Sequence, residues 1–327
     1  MGQLINGQWH TTQALEANKE TGEFERKPST FRNWVDTHPD SEFPVEPDRY
    51  HLYISRACPW AHRTALLRRL KGLTKMISLS IVEPVRIDNG WEFSEEYPDP
   101  LHGANYLRDL YVKANPEFTG RVTVPVLWDK QRETIVNNES REIMRMLDTV
   151  FHPLAENDVT YLPDDLREEV DRVIDEIYEP VNNGVYRAGF AGTQTAHERA
   201  VRRLFKALAH WEEVLSRQRY LCGDRLTEAD WCMFTTLYRF DQVYHTHFKC
   251  NVRRIADYPN LWNYLKELYQ VPGVAETCNM SHIKDHYYQS HTWLNPTQLV
   301  PVGPDLDFGA PHNRGQFTKE TAAKSSD

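Results

Sequence analysis

The order of apolar patterns along this chain predicts an α/β domain followed by an all-α one. Three observations carry that expectation. Residues 51–82 read as strand, helix, strand, a unit whose two strands run parallel through a right-handed crossover. A helix, a two-stranded hairpin and another helix then fill the chain to residue 152. Beyond Pro153 and Pro163, apolar residues recur at the three-to-four spacing of helices.

Residues 1–49 are polar and broken by prolines, with Phe24, Phe31, Trp34 and Phe43 as apolar anchors. They read as an irregular extension laid over a folded domain. The run His51-Leu52-Tyr53-Ile54-Ser55 has strand character, and a helix follows from Cys58 to Lys71. Pro59 suits the first helical position, where no N–H is needed. Met76 to Val82 is the second strand, and residues 83–104 form a loop that carries Trp91 after the breaker pair Asn89-Gly90. A helix is expected from Tyr106 to Ala114. Residues 121–129 and 133–136, separated by a short polar link, predict a hairpin. Pro125 is awkward inside a strand. A cis peptide after Val124 or a trans proline on an edge strand would each resolve it, the trans form being much the commoner. Asn138-Glu139-Ser140 opens a helix to Val150.

In the second half, Leu166–Val181 and Ala196–Gln218 read as helices. Thr227-Glu228-Ala229-Asp230 resembles a capping box with Asp in place of Glu, opening a helix to Phe240. Asn260–Gln270 is a further helix, closed by Pro272-Gly273. Asn313 to Asp327 is polar and predicted to be disordered. The expected divisions are a 1–49 extension, a 50–152 α/β domain, a 163–290 helical domain and a 291–327 C-terminal extension. The order βαβ, helix, hairpin, helix is thioredoxin-like.

The chain's 327 residues allow two cores. A net charge of −9 argues against non-specific nucleic-acid binding, and no apolar stretch approaches the roughly 20 residues that span a bilayer. The N-terminus lacks the pattern of a signal peptide. Five widely spread cysteines do not make a disulfide framework, which predicts a reducing, cytoplasmic setting.

The chemistry centres on Cys58-Pro59-Trp60-Ala61-His62-Arg63. A cysteine at a strand-to-helix turn meets unpaired backbone N–H groups and the positive end of the helix dipole, and both favour thiolate. The position three residues on, where a dithiol motif has its second cysteine, is Ala61. The site is therefore monothiol, and a disulfide on Cys58 needs a second molecule. The plainer alternative is a buried structural cysteine. His245-x-His247-x-x-Cys250 has metal-ligand residue types but no fourth ligand nearby, so no metal is expected; His282 and His286 read as structural.

That motif, together with Asn89-Gly90-Trp91, the run Gly120 to Asp129, Asn138-Glu139-Ser140, Asn182-Asn183-Gly184-Val185-Tyr186, Leu226 to Asp230, Tyr244 to Cys250 and His286-Tyr287-Tyr288, resembles the glutathionyl-hydroquinone reductases, the omega-like Xi class of glutathione transferases. The resemblance runs from Gly2 to Gly303. It implies a thioredoxin-like domain followed by a glutathione-transferase helical domain, with glutathione as co-substrate and glutathionylated hydroquinones as substrates. It also implies that Cys58 is the nucleophile, with Tyr244 and Tyr287 stabilising its thiolate and Tyr186 protonating the leaving phenol. Trp91, Arg121, Val122, Thr123, Val124, Glu139 and Ser140 would bind glutathione. Within that set, Ser140 near a helix start suits the γ-glutamyl carboxylate, Glu139 the ammonium group, and Val124 the peptide backbone. For Glu139 and Ser140 the plainer alternative is helix capping, and for Trp91 a loop anchor. By analogy with the class a homodimer through the helical domain is expected. The competing functions are an omega-like thiol transferase or dehydroascorbate reductase using the same cysteine, and a non-catalytic binding module.

Overall fold

The structure is a computed structural model, and it describes residues 2–11 and 17–317. The chain opens with a hairpin rather than with irregular extension: β1 (Gly2–Ile5) pairs antiparallel with β2 (Gln8–Thr11). The turn between them is Asn6-Gly7, both at positive φ, the sequence that two-residue hairpins favour. Leu4 is buried and exchanges backbone hydrogen bonds with Gly120 in both directions, each 2.9 Å, so the hairpin is fastened to the α/β domain. Of the four expected anchors, Phe24 and Phe43 are buried and Phe31 is half-buried. Trp34 is not an anchor; it is 42 % exposed.

The α/β domain is built on β3 (Tyr50–Ile54), whose residues are all buried and, except for His51, all apolar or aromatic. It pairs parallel with β4 (Ile77–Ile81) and antiparallel with β5 (Val126–Asp129), which pairs in turn with β6 (Thr134–Asn137), giving the order β4-β3-β5-β6. Leu52 stands opposite Leu79 on one side and Leu127 on the other. Fully burying a side chain such as Leu52 or Leu127 is worth about 1.5–3 kcal/mol, which explains why the two interior strands, β3 and β5, are so apolar. Between β3 and β4 runs α1 (Pro59–Leu70), with Cys58 as its N-cap. It ends at Gly72, whose φ of +71° a side chain would resist. The helix α2 (Leu107–Ala114) and, after the hairpin, α3 (Ser140–Asp148) complete the domain.

A short linker leads to α4 (Arg167–Ile177), α5 (Gly184–Gly189), α6 (Gln194–Leu215), α7 (Glu228–Arg239), α8 (Pro259–Gln270) and α9 (Met280–Ser290). The capping box opens α7 as expected, with Thr227 N–H donating to Asp230 at 2.8 Å, and every residue of α7 is buried. α1 packs against α3 of its own domain and α7 of the other. At the end of α7, the buried Arg239 donates across that contact to the carbonyls of Arg56 (3.0 Å) and Ala57 (2.8 Å) and to His62 Nδ1 (3.1 Å). The helical domain thus holds the two residues that precede Cys58.

The C-terminal expectation needs correcting at its start. Arg314 is fully buried and donates to the carbonyls of Leu215, Gln218 and Arg219, so the polar run is fastened to the helical domain through Phe317. The remainder of the stretch expected to be disordered, 318–327, lies outside the described residues.

Candidate functional site

A cleft of about 1070 Å³ opens at the start of α1. It is lined by Cys58 and Trp60, by the loop residues Arg86 and Trp91, by Arg121 to Val124, and by Tyr186, Phe190 and Tyr287 of the helical domain. The strap of residues 17–30 from the N-terminal extension closes one side.

Cys58 is half-buried, with extended backbone at φ −76° and ψ 122°, and its carbonyl accepts from His62 N–H at 2.9 Å. Its thiol faces the carbonyl of Val124 at 3.7 Å. Of the chain's cysteines it alone lines the cleft. Burial raises the other four thiols, Cys222 and Cys278 to about 12, which keeps them protonated. Two neighbours left without a role, His62 and Arg63, belong to the scaffold. His62 accepts from Arg239 and so donates through Nε2 to Thr277 Oγ1 at 2.9 Å; burial holds it well below its usual pKa, hence neutral. Arg63 Nη1 lies 3.0 Å from Cys232 Sγ.

The Val124–Pro125 peptide is cis, the rarer of the two forms considered. The proline sits just before β5, and Val124 lies beyond the β3–β5 ladder, whose last pair is Tyr53 with Val126. Thr123 is clamped by Tyr111, which donates to its carbonyl at 2.8 Å and accepts from its N–H at 3.2 Å. Arg121 is exposed on the rim and Val122 is buried. Trp91 is 4 % exposed and forms a stack: Arg86 lies 4.7 Å above its ring and His286 5.0 Å away on a nearly parallel plane. His286 Nδ1 donates to the Pro84 carbonyl at 2.8 Å, and burial, then the Arg86 charge, lowers its pKa to about 3. Gly90, at φ +84°, is where the loop passes Trp9; a Cβ there would stand 2.9 Å from that indole.

Glu139 and Ser140 stand behind the lining rather than in it. Asn138 is the cleft residue of this trio, and its Nδ2 donates to Tyr111 at 3.1 Å. Glu139 is the N-cap of α3: one carboxylate oxygen accepts from Arg141 N–H at 3.2 Å and the other from Ser29 Oγ of the strap at 2.9 Å. Ser140 is the first residue of α3 and is buried.

The three tyrosines meet. Tyr287 Oη lies 2.5 Å from Tyr186 Oη and 3.1 Å from Tyr244 Oη. Tyr186 and Tyr287 line the cleft; Tyr244 is fully buried behind both, within 3.1 Å of the Tyr287 hydroxyl and packed against Tyr186 with ring centres 5.9 Å apart. Tyr288, next in sequence, faces away and donates to the Gln242 carbonyl at 3.1 Å. Burial first, and the Cys58 charge second, raises the Tyr186 phenol. Burial and the neighbouring phenols carry Tyr244 and Tyr287 well above their usual value. All three therefore keep their protons at neutral pH.

His247 Nε2 pairs with His291 Nδ1 at 3.1 Å, and among the described residues no group of three His, Cys, Asp or Glu side chains could hold a metal ion. The sequence reading missed Arg26, Arg86 and Phe190 in the lining and Arg239 behind Cys58. Trp60 was within the quoted motif. The others occupy no spacing that marks them.

Comparison with known proteins gives two family matches: a glutathione S-transferase N-terminal domain over residues 57–150 and a C-terminal domain over 194–267. Glutathionyl-hydroquinone reductase YqjG of Escherichia coli K12 is 49 % identical over 324 residues, covering 96 % of this chain and 98 % of the relative. A Xi-class transferase from Natrialba magadii superimposes with a TM-score of 0.91 at 55 % identity, covering 97 % of each chain. The glutathione-bound structure of E. coli YqjG gives 0.87 at 46 % identity, covering 96 % of this chain and 99 % of that one.

Proposed function

The chain belongs to the glutathionyl-hydroquinone reductases, the Xi class of the glutathione transferases, and on that premise we propose that Cys58 is the nucleophile that takes glutathione from the substrate. The enzyme reduces glutathionyl-hydroquinones to hydroquinones at the expense of glutathione. In the proposed first step the Cys58 thiolate attacks the thioether sulfur, the carbon–sulfur pair goes to the leaving ring, and a Cys58–glutathione disulfide remains. A second glutathione thiolate then attacks that disulfide, giving oxidised glutathione and free Cys58. Ala61 supports this division, since no thiol stands where an internal resolving group would be.

The observation that carries the reading is the phenol cluster facing the cysteine cleft. If Tyr244 donates to Tyr287 and Tyr287 to Tyr186, the Tyr186 hydrogen is left to point into the cleft as an acid. That arrangement suits release of a phenol-like group of similar acidity and is not needed for thiol–disulfide exchange, whose leaving group is a thiolate. Trp91, Arg121, Val122, Thr123 and Val124 are assigned to glutathione from the cleft's α/β wall. Glu139 and Ser140 are assigned to its γ-glutamyl end, and this requires Ser29 of the strap to release Glu139. Tyr287 is assigned to the thiolate directly, and Tyr244 through it. A cytoplasmic homodimer paired through the helical domain is consistent with the class; light scattering on the purified protein tests the dimer. Among the described residues no helix is long and apolar enough to cross a membrane.

The test is assay and intact mass together. The wild-type protein turns over glutathionyl-hydroquinone and gains one glutathione on incubation with oxidised glutathione. Cys58→Ala does neither, with a loss of roughly 10⁴-fold or more, as when other covalent nucleophiles are removed. Undiminished turnover in that variant would sink the mechanism.

A further inference from the structure

We propose that Arg26 is a further catalytic residue of the thioether step, holding the oxygen on which negative charge collects as the hydroquinone leaves. The inference rests on the reductase reading above.

An aryl thioether cannot release its ring directly, because attack at sulfur would expel an aryl carbanion. The keto tautomer of the ring removes that obstacle. The carbon bearing sulfur is then saturated and lies next to a carbonyl group. When the Cys58 thiolate attacks, the carbon–sulfur pair becomes an enolate whose charge resides on oxygen, and the two sulfurs become the disulfide. Protonation of the released anion gives the hydroquinone. Such a step needs two different helpers: an acid, and a fixed cationic donor at the oxygen. Tyr186 is assigned the first task. A guanidinium cannot serve as an acid in this range, but it fits the second.

Arg26 is placed for it. The residue lies on the strap lining the cleft, with its guanidinium carbon 4.9 Å from the ring centre of Trp60 and 4.9 Å from that of Tyr186. Phe24 adds a third aromatic face at 5.5 Å. Nε donates to Oδ1 of the buried Asn183 at 3.0 Å, which ties the strap to the helical domain and fixes the plane of the group. Among the described residues neither Nη group has a protein acceptor, so both donors remain for a ligand. Of the other arginines in the lining, Arg86 is stacked on Trp91, and Arg121 is on the rim beside the backbone segment assigned to glutathione. Arg26 is the one that lies over the acid. Its charge also draws the Tyr186 phenol down, against the larger push of burial and of Cys58.

The experiment measures the two half-reactions separately on the full-length protein. Reduced enzyme is mixed with a series of ring-substituted glutathionyl-hydroquinones in single turnover, and preformed Cys58–glutathione disulfide is resolved with glutathione. Arg26→Gln is expected to slow the first step roughly 30-fold, less than the loss of an enclosed oxyanion donor because the strap is open to water. The slowing should grow as the leaving hydroquinone becomes less acidic, while resolution changes far less. Arg26→Lys, which keeps the charge, should recover part of the loss. Equal slowing of both half-reactions with an unaltered leaving-group dependence would mean that Arg26 only shapes the strap, and would overturn the inference. So would no slowing at all. A wild-type protein inert toward every member of the series would remove the reductase reading itself, and the inference with it.

Discussion

The two walls of the cleft are made differently. The α/β wall is built from short contiguous runs: Cys58 to Trp60 at one helix start, Arg121 to Val124 before a strand, and Asn138 at another helix start, with Glu139 and Ser140 behind it. The helical wall draws on side chains far apart in the chain. Tyr186 lies in α5, Tyr244 in the turn after α7 and Tyr287 in α9, and they come within hydrogen-bonding distance only in the folded protein. In the proposed mechanism the first wall supplies the thiol and open backbone for glutathione, and the second supplies the acid for the leaving group. The first is local in sequence, and the second depends on packing.

The largest effect expected from disturbing that contrast is at Tyr186. Tyr186→Phe removes the acid and leaves the thiol site in place, so single-turnover release of hydroquinone should fall about 10²–10³-fold, the range for loss of a general acid. Formation of the Cys58 adduct from oxidised glutathione should fall much less, since that step frees a thiolate and no phenol. Equal losses in the two assays would show that the walls are not separable in function.

Arg239 joins the walls, and its loss should be read first in stability. Arg239→Met leaves the carbonyls of Arg56 and Ala57 without this donor. Each buried orphan costs about 1–3 kcal/mol. A loss of about 3 kcal/mol in a urea titration is expected, along with slower reaction at Cys58. Unchanged stability would mean that the interdomain contact stands without it.

The sequence made the α/β wall readable and left much of the other obscure. The cysteine motif, the capping box of α7 and the helix starts are local patterns, decided within a few residues. The sequence alone favours a trans Pro125, because isomer choice depends on surroundings that no local pattern shows. Asn6-Gly7 marks the hairpin of residues 2–11, but its strands are only four residues each, too short for alternation to stand out. Arg314 looks like part of a polar tail until the carbonyls at the end of α6 are seen to receive it. Tyr244 came to attention only through a resemblance, which says that a residue matters but not whether it touches the thiol or a neighbour of the thiol.

The pH dependence of the first step separates the walls more gently. Burial and the Cys58 charge raise the Tyr186 phenol above its ordinary value near 10. A raised acid keeps its proton to higher pH, so the acid task should not weaken below about pH 10. No alkaline fall in the single-turnover rate at saturating substrate is expected between about pH 8 and 9.5. An alkaline fall in that window, absent from Tyr186→Phe, would place the phenol below its usual range.

The smallest effect should come from Tyr244. It lies behind Tyr287 and Tyr186, is fully buried and has no edge on the cleft, so its hydroxyl acts on Cys58 through the two phenols that face the site. Tyr244→Phe keeps the ring, including its stacking on Phe248 at 5.4 Å, and removes one hydrogen bond worth about 0.5–1.5 kcal/mol. The loss in first-step rate should accordingly be about threefold to tenfold, against a larger loss for Tyr287→Phe, which breaks both bonds of the cluster. Equal losses in the two variants would show that Tyr244 acts on the thiol as strongly as Tyr287 does.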